Sequence, residues 1–129
     1  MCIRDSGYTQ SANEGNFQYL SRLVTDLNAD KGDTLAVVVL AYTLAPEATH
    51  PTQLREAAAT LTHLVKQSGR SPSNMFVSGD SAGGNLALAL LSHALHPHPD
   101  VPAITLDEPL GGALLYLSLI HISEPTRPY

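Results

Sequence analysis

A single cysteine, Cys2, is all the chain has, so no internal disulfide can brace it. No apolar run is long enough to span a bilayer. No cluster of lysine and arginine stands anywhere in the 129 residues, and the formal net charge is −5, which argues against a nucleic-acid partner. Repeats, linkers and low-complexity tracts are absent. Met1 to Ser6 have no apolar core, so no secretory leader is read there. Charged residues make up only 15% of the chain and hydrophobic ones 43%, the balance of a soluble globular protein rather than a disordered one. The length suits one small domain and is short for an α/β enzyme.

Against these absences one stretch stands out: Ser78-Gly79-Asp80-Ser81-Ala82-Gly83-Gly84-Asn85. The strand-like segment Met75-Phe76-Val77 precedes it, and an apolar helix-like run from Leu86 follows. A strand, a tight Gly-x-Ser-x-Gly turn and a helix make a nucleophile elbow. Gly79, Gly83 and Gly84 let strand and helix approach closely around a strained serine. The turn lifts the Ser81 hydroxyl out of the sheet and sets the Ala82 N–H at a helix N-terminus, where an oxyanion is stabilised. Three other readings fit these residues less well. A glycine-rich turn without chemistry needs no such flanks. A trypsin-like Gly-Asp-Ser-Gly-Gly is broken by Ala82, and the alanine-rich helix is wrong for a β-barrel protease. A phosphate loop needs a Gly-Lys-Ser/Thr ending that is missing.

Along the chain, the spacing of Phe17, Leu20, Leu23, Val24 and Leu27 predicts a helix over about 13–28, with Asn13 or Asn16 as its cap. Thr34 to Tyr42 is a β-branched run, expected to be a parallel strand buried on both faces. Tyr42-Thr43-Leu44-Ala45-Pro46-Glu47 reads as an extended loop. A second helix is expected over about 52–67, burying Leu54, Ala58, Leu61, Leu64 and Val65. Met75 to Ser78 is the strand into the elbow, and 82–96 the helix out of it. A proline-rich loop and a last strand at about 112–116 follow. Helices alternating with strands predict an α/β fold with a mainly parallel sheet.

The two ends read as foreign. The segment ATG-TGT-ATA-AGA-GAC-AG encodes Met1 to Asp5 and begins Ser6. Its reverse complement, CTG-TCT-CTT-ATA-CAC-AT, encodes Leu117 to His121 and begins Ile122. Both ends resemble translated sequencing adapter. The expected organisation is therefore an adapter-like 1–6, a partial domain over 7–116, and an adapter-like 117–129.

Gly79-Asp80-Ser81-Ala82-Gly83-Gly84-Asn85, preceded by Tyr42-Thr43-Leu44-Ala45-Pro46-Glu47, resembles the hormone-sensitive-lipase-like branch of the α/β-hydrolases, which carries Gly-Asp-Ser-Ala-Gly-Gly and Tyr-Arg-Leu-Ala-Pro-Glu. Thr43, with Pro51-Thr52-Gln53-Leu54-Arg55, is most similar to fungal members. The resemblance implies a truncated α/β-hydrolase fold, three-layered with an incomplete sheet. It implies a serine esterase or lipase acting on small acyl esters through an acyl-enzyme at Ser81, with no metal or organic cofactor. It also implies a His-Gly-Gly-Gly oxyanion loop, of which only Gly7 and the following Tyr8 stand here. Gly7 is either an oxyanion donor or an ordinary turn glycine. Glu47 would tie loops beneath the elbow rather than act as a catalytic carboxylate. In the family's sheet a strand ahead of the oxyanion loop separates the strand at Leu35 to Ala41 from the one at Met75 to Ser78. Its absence predicts a gap, or direct pairing of those two.

The chemistry is incomplete. Ester hydrolysis by serine needs a base and a carboxylate to orient it, in the order Ser, Asp or Glu, His. His93 lies twelve positions along the exit helix, roughly 18 Å from the elbow. His96 and His98 lie farther, His121 falls in the adapter-like tail, and His50 and His63 precede the serine. The His93/His96/His98 cluster reads as a polar helix end and loop, not a metal site. Asp100, Asp107 and Glu108 read as solvated, and Asp80 as a motif residue beside the nucleophile. The isolated chain is expected not to turn over. The alternative function is a non-catalytic α/β-hydrolase relative that binds a ligand or partner.

Overall fold

Helices and strands alternate as the hydrophobic pattern predicts. The computed structural model describes residues 2–4, 8–9, 12–29 and 34–116. Their order is β1 (Cys2–Arg4), α1 (Glu14–Asn28), β2 (Val39–Leu40), α2 (Thr52–Gln67), a 3-10 turn (Pro72–Asn74), β3 (Phe76–Asp80), α3 (Ala82–Leu95) and β4 (Gly112–Tyr116). One four-stranded sheet runs β2-β1-β3-β4, and every pairing is parallel.

The position of β1 corrects an expectation. Neither a gap nor direct pairing separates β2 from β3. Cys2 and Ile3 pair with Val39 and Leu40 on one side, and Cys2, Ile3 and Arg4 pair with Ser78, Gly79 and Asp80 on the other. A strand ladder is made by backbone N–H and C=O groups, which any short extended segment supplies. The segment read as foreign thus fills the central slot.

The strand expected over Thr34 to Tyr42 shrinks to Val39–Leu40. Asn28, at the end of α1, takes the Leu35 backbone instead: its Oδ1 accepts the Leu35 N–H at 2.7 Å and its Nδ2 donates to the Leu35 carbonyl at 3.0 Å. Such side-chain bonds compete with a ladder. Leu35 and Val38 are exposed, so this run is not buried on both faces.

Asn13, of the two candidate caps, is the one that starts α1. It is extended, and its Oδ1 accepts the Asn16 N–H at 3.1 Å. Of the predicted stripe only Leu20 is buried, while Phe17 is 51% and Leu27 50% exposed. The periodicity found the helix but not a cover for it. On α2 the stripe holds better: Leu54, Ala58 and Leu61 are buried, joined by Ala57 and Gln53, with Leu64 and Val65 partly covered. Leu54, Ala57, Ala58 and Leu61 pack with Val77, Leu86, Ala87, Leu90, Tyr42, Val101 and Ile104 in one core between α2, α3 and the sheet, with Val65 against it. Small side chains at Ala57, Ala58 and Ala87 allow the two helices to lie close.

The loop between β2 and α2 is held by side chains of α2. Gln53 is buried, and its Nε2 donates to the Thr43 and Ala48 carbonyls at 3.0 and 3.1 Å. Glu56 accepts the Thr43 N–H at 2.8 Å and the Thr43 hydroxyl at 2.6 Å. The carboxylate that ties this loop is therefore Glu56, one helical turn inside α2, whereas Glu47 is exposed.

Candidate active site

The parallel ladder carries β3 as far as Asp80, two residues beyond the expected Ser78, and α3 begins at Ala82. Ser81 alone makes the reversal. Its φ is 53° and ψ −118°, a region that L residues with a side chain rarely occupy. Two bonds hold it there. The Ser81 N–H donates to the Tyr116 carbonyl of β4 at 2.9 Å, and the Ser81 carbonyl accepts the Asn85 N–H at 3.0 Å, the first helical bond of α3.

The glycines show why the turn is so tight. A Cβ on Gly79 would lie 2.1 Å from the Gly83 carbonyl oxygen and 2.6 Å from the Gly84 nitrogen. One on Gly84 would lie 3.2 Å from both the Gly79 and Tyr116 carbonyl oxygens. Strand and helix touch backbone to backbone at this corner. Gly79, Ala82, Gly83 and Gly84 are buried, whereas Asp80 and Ser81 are half-buried. The first amides of α3, from Ala82 onward, have no carbonyl one turn earlier in the helix to bond, so they form the positive end of its dipole beside the serine. Asp80 closes β3 and pairs in register with Arg4 and Tyr116.

Gly7 lies outside the described residues. Its neighbour Tyr8 has φ 60° and touches two motifs at once. The Tyr8 hydroxyl donates to Asn85 Oδ1 at 2.8 Å, and the Tyr8 carbonyl accepts the Ala45 N–H at 2.9 Å. Its ring packs on Tyr42 with centroids 5.8 Å apart. Tyr8 thus joins the stretch after β1, the Leu44-Ala45-Pro46 loop and the elbow helix. Asn85 was legible only as a motif letter; a tyrosine 77 positions away has no sequence signal that pairs it with an asparagine. The Tyr8–Asn85 bond is a neutral, partly buried one, so Tyr8→Phe and Asn85→Ala are each expected to cost about 1 kcal/mol in urea unfolding. The double variant should cost less than the sum; strict additivity would show that the two side chains do not interact.

His93 departs from its expected place at a polar helix end. It is 2% exposed, with both ring nitrogens engaged. Nδ1 accepts the His98 N–H at 2.9 Å, and Nε2 lies 3.0 Å from the Pro102 carbonyl. A carbonyl only accepts, so the proton sits on Nε2. His93 pins the loop that delivers Val101 and Ile104 to the core, and its ring is turned to that loop. Glu108 is exposed, as expected, and accepts a hydrogen bond from the Ser71 hydroxyl at the surface. Among the described residues no three His, Cys, Asp or Glu side chains converge as a metal site, and no helix is long and apolar enough to cross a membrane.

A strained serine between a parallel strand and a helix, with a glycine-lined corner, defines an α/β-hydrolase type of elbow. A family model described as alpha/beta hydrolase fold matches residues 15–123, and the chain belongs to that family. It is 44% identical over 106 residues to "Putative acetyl-hydrolase LipR" of Mycobacterium tuberculosis (strain ATCC 25618 / H37Rv), covering 82% of this chain and 32% of that protein. It is 42% identical over 65 residues to "Lipase 2" of Moraxella sp. (strain TA144), covering 48% of this chain and 15% of that one. Over 82 residues it is 40% identical to "Arylacetamide deacetylase" of Oryctolagus cuniculus, covering 58% and 20%. The chain spans a third or less of the length of these relatives. No solved structure matches it significantly.

Proposed function

We propose that this chain carries the nucleophile segment of a serine ester hydrolase of the hormone-sensitive-lipase-like, fungal-type branch, whose substrates are small acyl esters. The observation that carries the reading is the Ser81 backbone, φ 53° and ψ −118°, held between the Tyr116 carbonyl and the first turn of α3. Strain of that kind is kept where geometry serves chemistry. The related proteins named lipase, acetyl-hydrolase and deacetylase support the same class.

In this reading the Ser81 hydroxyl attacks the ester carbonyl carbon, a base takes its proton, and the alcohol leaves from the tetrahedral adduct. Water then releases the acid from the acyl-enzyme. The Ala82 N–H, with Gly7, holds the oxyanion; Gly79, Asp80, Gly83 and Gly84 shape the turn. The base and its orienting carboxylate lie outside residues 1–116 in this scheme, because His93 is committed to Pro102 and His98. The isolated chain is inactive on this account. Residues 1–6 and 117–129 are proposed to be adapter-derived, although the family match runs on to residue 123.

The test is the uninterrupted genomic reading frame. The encoded enzyme should hydrolyse a short-chain aryl ester, and Ser81→Ala should lower kcat/KM by about 10⁴-fold or more. A frame lacking a later Asp and His, with no hydrolysis, would leave the binding-protein alternative. Ser81-dependent turnover by the 129-residue chain alone would overturn its proposed inactivity.

A further inference from the structure

Among the described residues, only Tyr8 and Ser81 combine a side chain with a positive φ, 60° and 53°. L residues of that kind rarely occupy this region, and such strain persists only where surrounding contacts impose it. The two lie far apart in the chain, yet one residue joins them. Asn85 donates its backbone N–H to the Ser81 carbonyl at 3.0 Å, and its Oδ1 accepts the Tyr8 hydroxyl at 2.8 Å.

Helix geometry gives this tie its direction. A helical side chain leans back over the turn before its own Cα, so Asn85 reaches toward the start of α3, where Ser81 and Ala82 stand. Ser81 makes no side-chain cap to α3, so its hydroxyl is not engaged at the helix terminus and the first turn is held from elsewhere. Tyr8 is itself fixed in two further ways. Its carbonyl accepts the Ala45 N–H at 2.9 Å, and its ring lies on Tyr42 with centroids 5.8 Å apart. A phenylalanine would serve the ring contact equally well; only the hydroxyl reaches the elbow helix. Gly7, the second oxyanion donor of the hydrolase reading, directly precedes Tyr8 in the sequence.

We propose that Tyr8 is a positioning residue for the ester hydrolysis assigned to Ser81. Acting through Asn85, it sets the first turn of α3, and with it the Ala82 N–H, against the nucleophile. The inference rests on the hydrolase reading. Tyr8 transfers no proton and touches no reacting atom in this scheme. Its effect belongs to the transition state, where charge develops on the carbonyl oxygen, and not to ground-state binding.

The test uses the enzyme encoded by the uninterrupted genomic frame and a short-chain aryl ester. Active sites are counted with an alkylphosphonate ester that labels the nucleophilic serine. Tyr8→Phe keeps the ring and removes the hydroxyl. It should lower kcat per counted site about tenfold and leave KM unchanged, a smaller loss than the roughly 100-fold or more that follows removal of an oxyanion donor outright. Affinity for a phenylboronic acid, which forms a tetrahedral adduct on a serine, should fall by the same factor. Asn85→Ala should give the same drop, and the double variant should be no slower than either alone. If Tyr8→Phe fails to fold, Asn85→Ala carries the same readings. A wild type without turnover would sink the hydrolase reading and this inference with it. With an active wild type, three results would overturn the positioning role alone. One is an unchanged kcat per site. Another is a raised KM at constant kcat, the mark of a substrate contact. The third is fewer labelled sites at a constant rate per site, the mark of a residue that only stabilises the fold.

Discussion

Gly79→Ala is expected to cost the chain its cooperative fold. The added Cβ would come 2.1 Å from the Gly83 oxygen, 2.3 Å from the Gly83 carbonyl carbon and 2.6 Å from the Gly84 nitrogen. All three are backbone atoms of the first turn of α3, and none can swing aside as a side-chain tip would. Relief requires α3 to lift off the sheet, which opens the contacts of Leu86, Ala87 and Leu90 with Val77. Overpacking against mobile neighbours costs about 1–3 kcal/mol. Here the cost should reach about 3 kcal/mol or more, a large share of the roughly 5–15 kcal/mol that holds a domain folded. Urea denaturation gives the measurement, with Gly69→Ala as its control. Gly69 has φ 63° and open space around it, so alanine there meets only backbone strain of about 1 kcal/mol. Equal losses at the two positions would show that the elbow corner is looser than these distances say.

Removing residues 1–4 should be the other severe change. β1 is the only strand paired with β2 among the described residues, and it lies against β3 along its whole length. Without it β2 loses every ladder bond, and β3 exposes a long inner edge. The truncated chain is expected to lose amide protection at Val39 and Leu40 and to melt without a cooperative transition. Hydrogen exchange and calorimetry would read both effects. A truncated chain with the same melting midpoint would mean that β1 contributes nothing to the sheet. The experiment has an unusual edge, because these are residues whose coding segment reads as adapter. A sheet slot lined by backbone groups places few demands on the side chains of a short strand that enters it.

That case marks the limit of what the sequence reveals. Local signals were legible: Asn13 before an amphipathic stretch, the periodicity of α2, and the glycine and serine spacing of the elbow all found their elements. What the stretches do to one another was not. Thr34 to Val38 look like a strand by composition, yet Asn28 diverts the Leu35 backbone. Leu27 and Phe17 sit at helical spacing, yet nothing described covers them. His93 looks polar beside His96 and His98, yet it is buried because two backbone groups happen to fit its two nitrogens. The site divides in the same way. Ser81 and its glycines announce themselves in eight consecutive residues. Tyr8 and Tyr116 reach the elbow through single hydrogen bonds, and Ala45 is linked to it only through Tyr8; none of these leaves a pattern in the letters.

The bond from the Ser81 N–H to the Tyr116 carbonyl carries a consequence for the order of folding. The strained turn is clamped from a strand 35 positions later, after α3 and a long loop have been placed. Strand β3, helix α3 and the bond from the Asn85 N–H to the Ser81 carbonyl can form from local contacts, but the Ser81 N–H meets the Tyr116 carbonyl only when β4 docks. On a growing chain the serine is therefore made well before its geometry is secured. The second clamp on the Ser81 turn is therefore expected to close late, although the turn sits near the middle of the described fold.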